Sequence, residues 1–117
     1  MGHWHDVRDK LRDPARDLRE HIPEVYRGFA DLSSSSLKDG VISSAMKEVI
    51  ALALGVAAQC DGCIAAHARA AVKKGASPQQ VAEALGVAIM MGGGPATVYA
   101  PRAWEAYQEF LETQKAE

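Results

Sequence analysis

The chain has no long apolar run. No stretch reaches the roughly 18 consecutive apolar residues of a membrane-spanning helix. The N-terminus, M-G-H-W-H-D-V-R, has none of the apolar core of a secretory signal, so a cytoplasmic protein is expected. Met1-Gly2 opens like a myristoylation signal, but Asp6 stands where Ser or Thr is required. Sustained period-2 alternation is missing and β-branched residues are scattered, which argues against a sheet. Aromatics make up only 6% of residues, so large core anchors are few. Neither charge sign dominates: 13 Lys and Arg face 15 Asp and Glu, for a net charge of −2. Without a basic stripe and interleaved aromatics, nucleic acid is not an expected partner. There are only two cysteines. In a cytoplasmic chain such a pair points to catalysis or metal binding rather than to a structural bridge.

What is present is helix. At 117 residues one domain is expected, spanning 1–117, with N-terminal helices over 1–40 and a motif-bearing core over 41–113. The apolar fraction is 48%, but much of it is alanine. Alanine helices pack closely and bury little area each, so further burial in an oligomer is expected. Trp4, Val7, Leu11, Ala15 and Leu18 step by threes and fours, with a restart expected at Asp13-Pro14. Pro23 opens a second helix with Val25, Tyr26, Phe29 and Leu32 turned inward. A third helix over 44–58, capped by Ser43 or Ser44, is apolar almost all round and reads as buried. A fourth runs from Asp61, its expected N-cap, to Lys74, with Gly75 as the stop. Ser77-Pro78-Gln79-Gln80 is a capping-box start for a fifth. That helix ends in Val87, Ala88, Ile89, Met90 and Met91, and Gly92-Gly93-Gly94-Pro95 breaks it. The last helix places Ala100, Trp104, Tyr107 and Leu111 on one face, and Pro101 is expected to kink or restart it. The reading is an all-α, compact, single-domain bundle of about six helices.

The chemistry gathers at Glu48, Cys60, Cys63 and His67. Both cysteines fall in Q-C-D-G-C-I-A-A-H-A-R. On a helix, Cys60, Cys63 and His67 share one face, because residues three and four apart are neighbours. Cys60 lies by a helix N-terminus, and such positions and CxxC pairs lower a thiol pKa. Cys63 has His67 one turn on to take its proton. The two arguments favour different attacking thiols, and local geometry does not choose between them. Glu48 sits on a mostly apolar face, where a carboxylate requires a partner. In an antiparallel hairpin of helices three and four, Glu48 lies roughly 15 Å from the turn and His67 roughly 9 Å. Long side chains or one water bridge that gap, so Glu48 can orient His67, as a base and its orienter serve a thiol nucleophile. Two other readings stay open here. The four residues are a plausible zinc set, and the cysteines can be small buried hydrophobes.

The stretches K-E-V-I-A-L-A-L, Q-C-D-G-C-I-A-A-H, G-A-S-P-Q-Q-V-A-E-A-L-G-V-A and M-G-G-G-P-A resemble the alkyl hydroperoxidase D-like branch of the carboxymuconolactone decarboxylase superfamily. The likeness covers about residues 41–100. The Glu, the two cysteines and the His recur at the family's spacing of twelve, three and four. It implies an all-α oligomer, trimer or hexamer, with thiol peroxidase or disulfide reductase activity on alkyl or hydrogen peroxides and no bound cofactor. It also implies that Cys63 attacks, Cys60 resolves, and His67 and Glu48 relay protons. A dithiol or redox protein would supply electrons. The alternatives are disulfide exchange without peroxidase activity, or zinc binding. The chain departs from the branch at Gly62, where those proteins often carry a second His. The decarboxylases proper lack the cysteine pair, so lactone decarboxylation is not expected.

Overall fold

The described residues form six helices, three of them opened by a side-chain cap. The computed structural model describes residues 2–117. It contains α1 (His3–His21), α2 (Pro23–Leu37), α3 (Ser44–Ala57), α4 (Asp61–Lys73), α5 (Pro78–Gly92) and α6 (Gly94–Ala116), with no strand among the described residues. Ser43 caps α3 by accepting the Met46 N–H. Ser77 and Gln80 close the capping box of α5 reciprocally, which satisfies two donors that the helix start leaves free. Gly75, at φ +86°, ends α4. Its N–H donates to Val72 and that of Ala76 to Ala71, the paired bonds of a Schellman stop. Neither proline restarts its helix. Pro14 lies inside α1 and Pro101 inside α6, and each helix runs through. A helix tolerates one missing N–H where neighbouring turns and packing hold the rest.

The core is built on α3–α6. Helix α3 packs on α4, α5 and α6; α4 also packs on α6, and α5 on α6. Val49, Leu52 and Val56 of α3 meet Ile64, Ala65 and Ala68 of α4, and Val81 and Leu85 of α5 close the cluster. Helix α6 adds Ala96, Ala100, Ala103, Ala106, Tyr107 and Phe110. Its expected face is correct: Ala100 and Tyr107 are buried, and Trp104 and Leu111 partly so. The alanines let helices approach closely, and Tyr107 anchors the junction by donating its hydroxyl to the Ala76 carbonyl at 2.6 Å.

Helix α1 lies across α4 and α6. Trp4 is fully buried and donates its indole N–H to Glu105 at 2.8 Å. Glu109 accepts the backbone N–H groups of Trp4 and His5 and bonds the His5 ring. A carboxylate from another helix thus serves the free donors and positive dipole end of α1. Farther along, the expected inward stripe is not buried: Leu11 and Leu18 are about half exposed.

Helix α2 departs most from expectation. None of its residues is buried, and Val25, Phe29 and Leu32 are more than 60% exposed. Tyr26 is half-buried beneath Arg19. The physical reason is position: α2 touches only α1 and α3, so its apolar face has no partner within the chain. Helices α3 and α5 are likewise not enclosed all round. Ile50, Leu54, Val87, Met90 and Met91 stand in the open.

Two measurements test this packing. Tyr107→Phe leaves the Ala76 carbonyl unpartnered, and urea unfolding should show a loss of about 1–2 kcal/mol; an unchanged midpoint contradicts the anchoring. Burial, the largest single influence on Glu109, raises its pKa, but the His5 side chain and the His5 and Trp4 amides together bring it below the usual 4.5. A depressed carboxylate binds fewer protons when folded. Its contribution is therefore full above pH 4.5 and is lost as the pH falls through the lower folded value. Glu109→Gln should flatten that acid limb of the stability profile.

Candidate functional site

The site forms where α3 hands over to α4. Helix α3 ends in a Schellman stop, with Gln59 donating to Val56 and Cys60 to Gly55. Gln59 occupies the left-handed region at φ +52°, a conformation that costs a non-glycine residue about 1 kcal/mol. That turn places Cys60 at two boundaries at once. It closes α3 through its N–H and caps α4 through its sulfur, which accepts the Cys63 N–H at 3.1 Å. The expected cap, Asp61, is instead the first residue of α4. Its carboxylate meets Arg102 of α6 at 2.7 Å. Local sequence favoured Asp as the cap; the tight exit from α3 delivers Cys60 there first.

Cys60 and Cys63 are joined by a disulfide, with their Cα atoms 5.2 Å apart. Cys63 is exposed and Cys60 half-buried. His67 follows Cys63 by one turn, a spacing that puts Cβ atoms about 5–6 Å apart. Its Nδ1 bonds Glu48 Oε1 at 2.7 Å. The Glu48 side chain is 7% exposed and the His67 side chain 30%. The carboxylate is thus sheltered, and the imidazole reaches from it toward solvent on the cysteine side. With Nδ1 engaged, Nε2 is the free nitrogen, the usual consequence of a carboxylate behind a histidine. The carboxylate on an apolar face has the partner its burial demands, directly and without a bridging water.

Gly62 lies against α1. A Cβ there would lie 3.3 Å from Leu11 Cδ1, so a larger side chain requires the Leu11 side chain to give way by a few tenths of an ångström. Beside it, Arg8, Leu11, Arg12, Ala15, Gly62 and Ala66 line a shallow groove. The sulfurs are bonded to each other, and among the described residues no group of three or more His, Cys, Asp or Glu side chains is arranged to hold a metal. The zinc arrangement would require the reduced state.

The structure also recruits a residue that sequence reasoning missed. Arg102 is remote in the chain and carries no motif, yet it reaches the CxxC turn. His5 gains a role as well, since Glu109 accepts its backbone N–H and bonds its ring.

Comparison with known proteins places this fold in a family. The family model described as "Carboxymuconolactone decarboxylase family" matches residues 23–106. The chain belongs to that family. The match takes in α2, which the motifs at 41–100 did not reach. A carboxymuconolactone decarboxylase family protein from Legionella pneumophila, solved in its apo form, is 39% identical, with a TM-score of 0.89 over 92% of this chain and 96% of that one. A Thermotoga maritima family protein, for which involvement in antioxidative response has been suggested, is 28% identical, with a TM-score of 0.77 over 92% and 94%. An uncharacterized protein of Cupriavidus necator is 38% identical over 84% of this chain and 89% of its own. The Cys60–Cys63 disulfide fits a CxxC redox motif within this family fold.

The Glu48–His67 pair can be probed through stability. Removing His67 strands a buried carboxylate, so His67→Ala should destabilise by about 3 kcal/mol at neutral pH. Adding Glu48→Gln removes the stranded charge and should recover part of that loss. Strict additivity of the two changes in denaturant unfolding would contradict the pairing.

Proposed function

We propose that the protein is a CxxC-dependent thiol peroxidase and disulfide reductase acting on alkyl or hydrogen peroxides. The carrying observation is the sheltered Glu48–His67 hydrogen bond one turn beyond an exposed Cys63 that is disulfide-linked to Cys60. In the reduced enzyme, Glu48 holds the His67 ring so that Nε2 takes the Cys63 proton. The thiolate attacks the outer peroxide oxygen, and the O–O bond breaks. The departing alkoxide takes a proton from His67 and leaves as an alcohol. Cys63 is then a sulfenic acid. Cys60 gives its thiol proton to His67 and attacks the Cys63 sulfur; the S–OH bond breaks, and the hydroxide takes that proton and leaves as water, forming the Cys60–Cys63 disulfide. A dithiol donor, lipoyl-linked or a small redox protein, returns both thiols by exchange.

The exposure of Cys63 supports its assignment as the attacking sulfur, and the more sheltered Cys60 suits a resolving role. We place the protein in the cytoplasm, where such a donor keeps thiols reduced; among the described residues no helix is long and apolar enough to cross a membrane. Assembly as a trimer or hexamer is part of the same reading. It would cover Val25, Phe29 and Leu32 of α2 and the open residues of α3 and α5, which are otherwise unpartnered.

The test scores free thiols in the reduced protein before and after one equivalent of cumene hydroperoxide. Rapid loss of both thiols into an intramolecular disulfide is expected, and Cys63→Ser should abolish it. Glu48→Gln should slow the reaction about a hundredfold, the low end for a positioned proton-transfer group. Thiols inert to peroxide but reactive with a disulfide donor would replace peroxidase activity with disulfide exchange alone.

A further inference from the structure

Asp61 is an unfavourable neighbour for a redox cysteine. It follows Cys60 directly and stands in the first turn of α4, so its negative charge opposes a second one on the Cys60 sulfur. The fold answers with a cation from another helix. Arg102 of α6 donates Nη2 to Asp61 Oδ2 at 2.7 Å. The guanidinium is fixed by two aromatic faces, 5.3 Å from the Trp4 ring centre and 5.5 Å from that of Tyr99. Only one prong of the fork is made. Arg102 Nε and Asp61 Oδ1 are buried without hydrogen-bond partners, although two parallel bonds are the stronger arrangement. The pair is therefore held by where α1, α4 and α6 put its members, not by optimal pairing.

We propose that Arg102 is a positioning residue for the cysteine pair: by neutralising Asp61 it lets Cys60 carry charge as a thiolate. The inference rests on the redox reading above and names the step concerned. The donor thiolate attacks the exposed Cys63 sulfur and forms a mixed disulfide with it. The Cys60–Cys63 bond breaks, and its electron pair goes to Cys60. A second donor thiol then releases Cys63, so the donor leaves oxidised and the protein reduced. Lower-pKa thiols leave faster. Cys60 leaves at a helix N-terminus, where the Cys63 N–H already points at its sulfur. An uncompensated Asp61 would cancel much of that help.

Other charged groups lie near this turn, among them Arg8 of α1 and Arg69 of α4, which act on each other. On α4 itself His67 is paired with Glu48 of α3. From α1, Arg12 is paired with Asp9, and Arg8 lies beside it in the groove over Gly62. From α6, Glu105 is bound to the Trp4 indole. Helices α2 and α5 do not touch α4. Arg102 is thus the cation paired with Asp61.

The experiment titrates Cys60 alone, by thiolate absorbance in a reduced Cys63→Ser background. Arg102→Gln should raise its pKa by about one unit and, in the two-cysteine protein, slow reduction of the disulfide by dithiothreitol roughly threefold. Arg102→Lys keeps the charge and should hold the pKa near its starting value. Asp61→Asn should lower it, and Asp61→Asn with Arg102→Gln should return it close to the start. That restoration separates charge from packing, because the double change does not restore the lost stacking on Trp4 and Tyr99. An unshifted pKa in a folded Arg102→Gln protein, or a shift that Asp61→Asn fails to offset, would overturn the role. Thiols inert to cumene hydroperoxide would instead overturn the peroxidase reading and leave this titration standing.

Discussion

The site depends on the buried hydrogen bond between Glu48 and His67. A carboxylate at 7% side-chain exposure needs a partner, and that partner can come only from a helix laid antiparallel alongside at the right depth. The bond therefore acts together with the packing of α3 on α4. Val49, Leu52 and Val56 meet Ile64, Ala65 and Ala68, and the alanines make the close approach possible. With the two helices so placed, the tight turn through Gln59 has one outcome. It delivers Cys60 to the head of α4 and leaves Cys63 in the open one turn from His67.

Carboxylate hydrogen bonds between helices recur around this core. Glu48 answers His67, Arg102 answers Asp61, and Glu109 answers the amide end of α1. In each pair the partners come from different helices, so the pairs also tie the layers together. The aromatics take part despite being few. Trp4 is buried at the crossing of α1 with α6, binds Glu105 and backs Arg102. Tyr107 ties α6 to the end of α4. A core rich in alanine gains little from each residue buried, and these few large side chains carry a disproportionate share.

Much of this was legible from the residues. Ser43, Gly75 and Ser77 marked helix ends because capping is a local competition for a few backbone groups. The spacing of Cys60, Cys63 and His67 marked a shared face because helical geometry is fixed. Glu48 stood out because a carboxylate among apolar neighbours demands explanation. The failures have equally physical causes. Periodicity showed that α2 has an apolar face but not where the face goes, and none of its residues is buried. Propensity favoured Asp61 as the cap, but chain exit from α3 set the register. Pro14 was read as a restart and Pro101 as a kink or restart, yet both helices continue through the missing bond; beside Pro101 the buried Ala100 and Ala103 hold α6 in place, whereas Pro14 lies on an exposed stretch.

The sequence by itself determined an all-helical chain, the positions of most helix ends and the four residues of the candidate site. Those properties follow from interactions within a few residues of one another. The tertiary structure alone decided which cysteine caps α4 and which stands in solvent, and that Leu11 lies beside Gly62. It also decided that Arg102 faces Asp61 across 41 residues of chain. These depend on how whole helices cross, and crossing is set by the summed packing of the core, which no local pattern encodes.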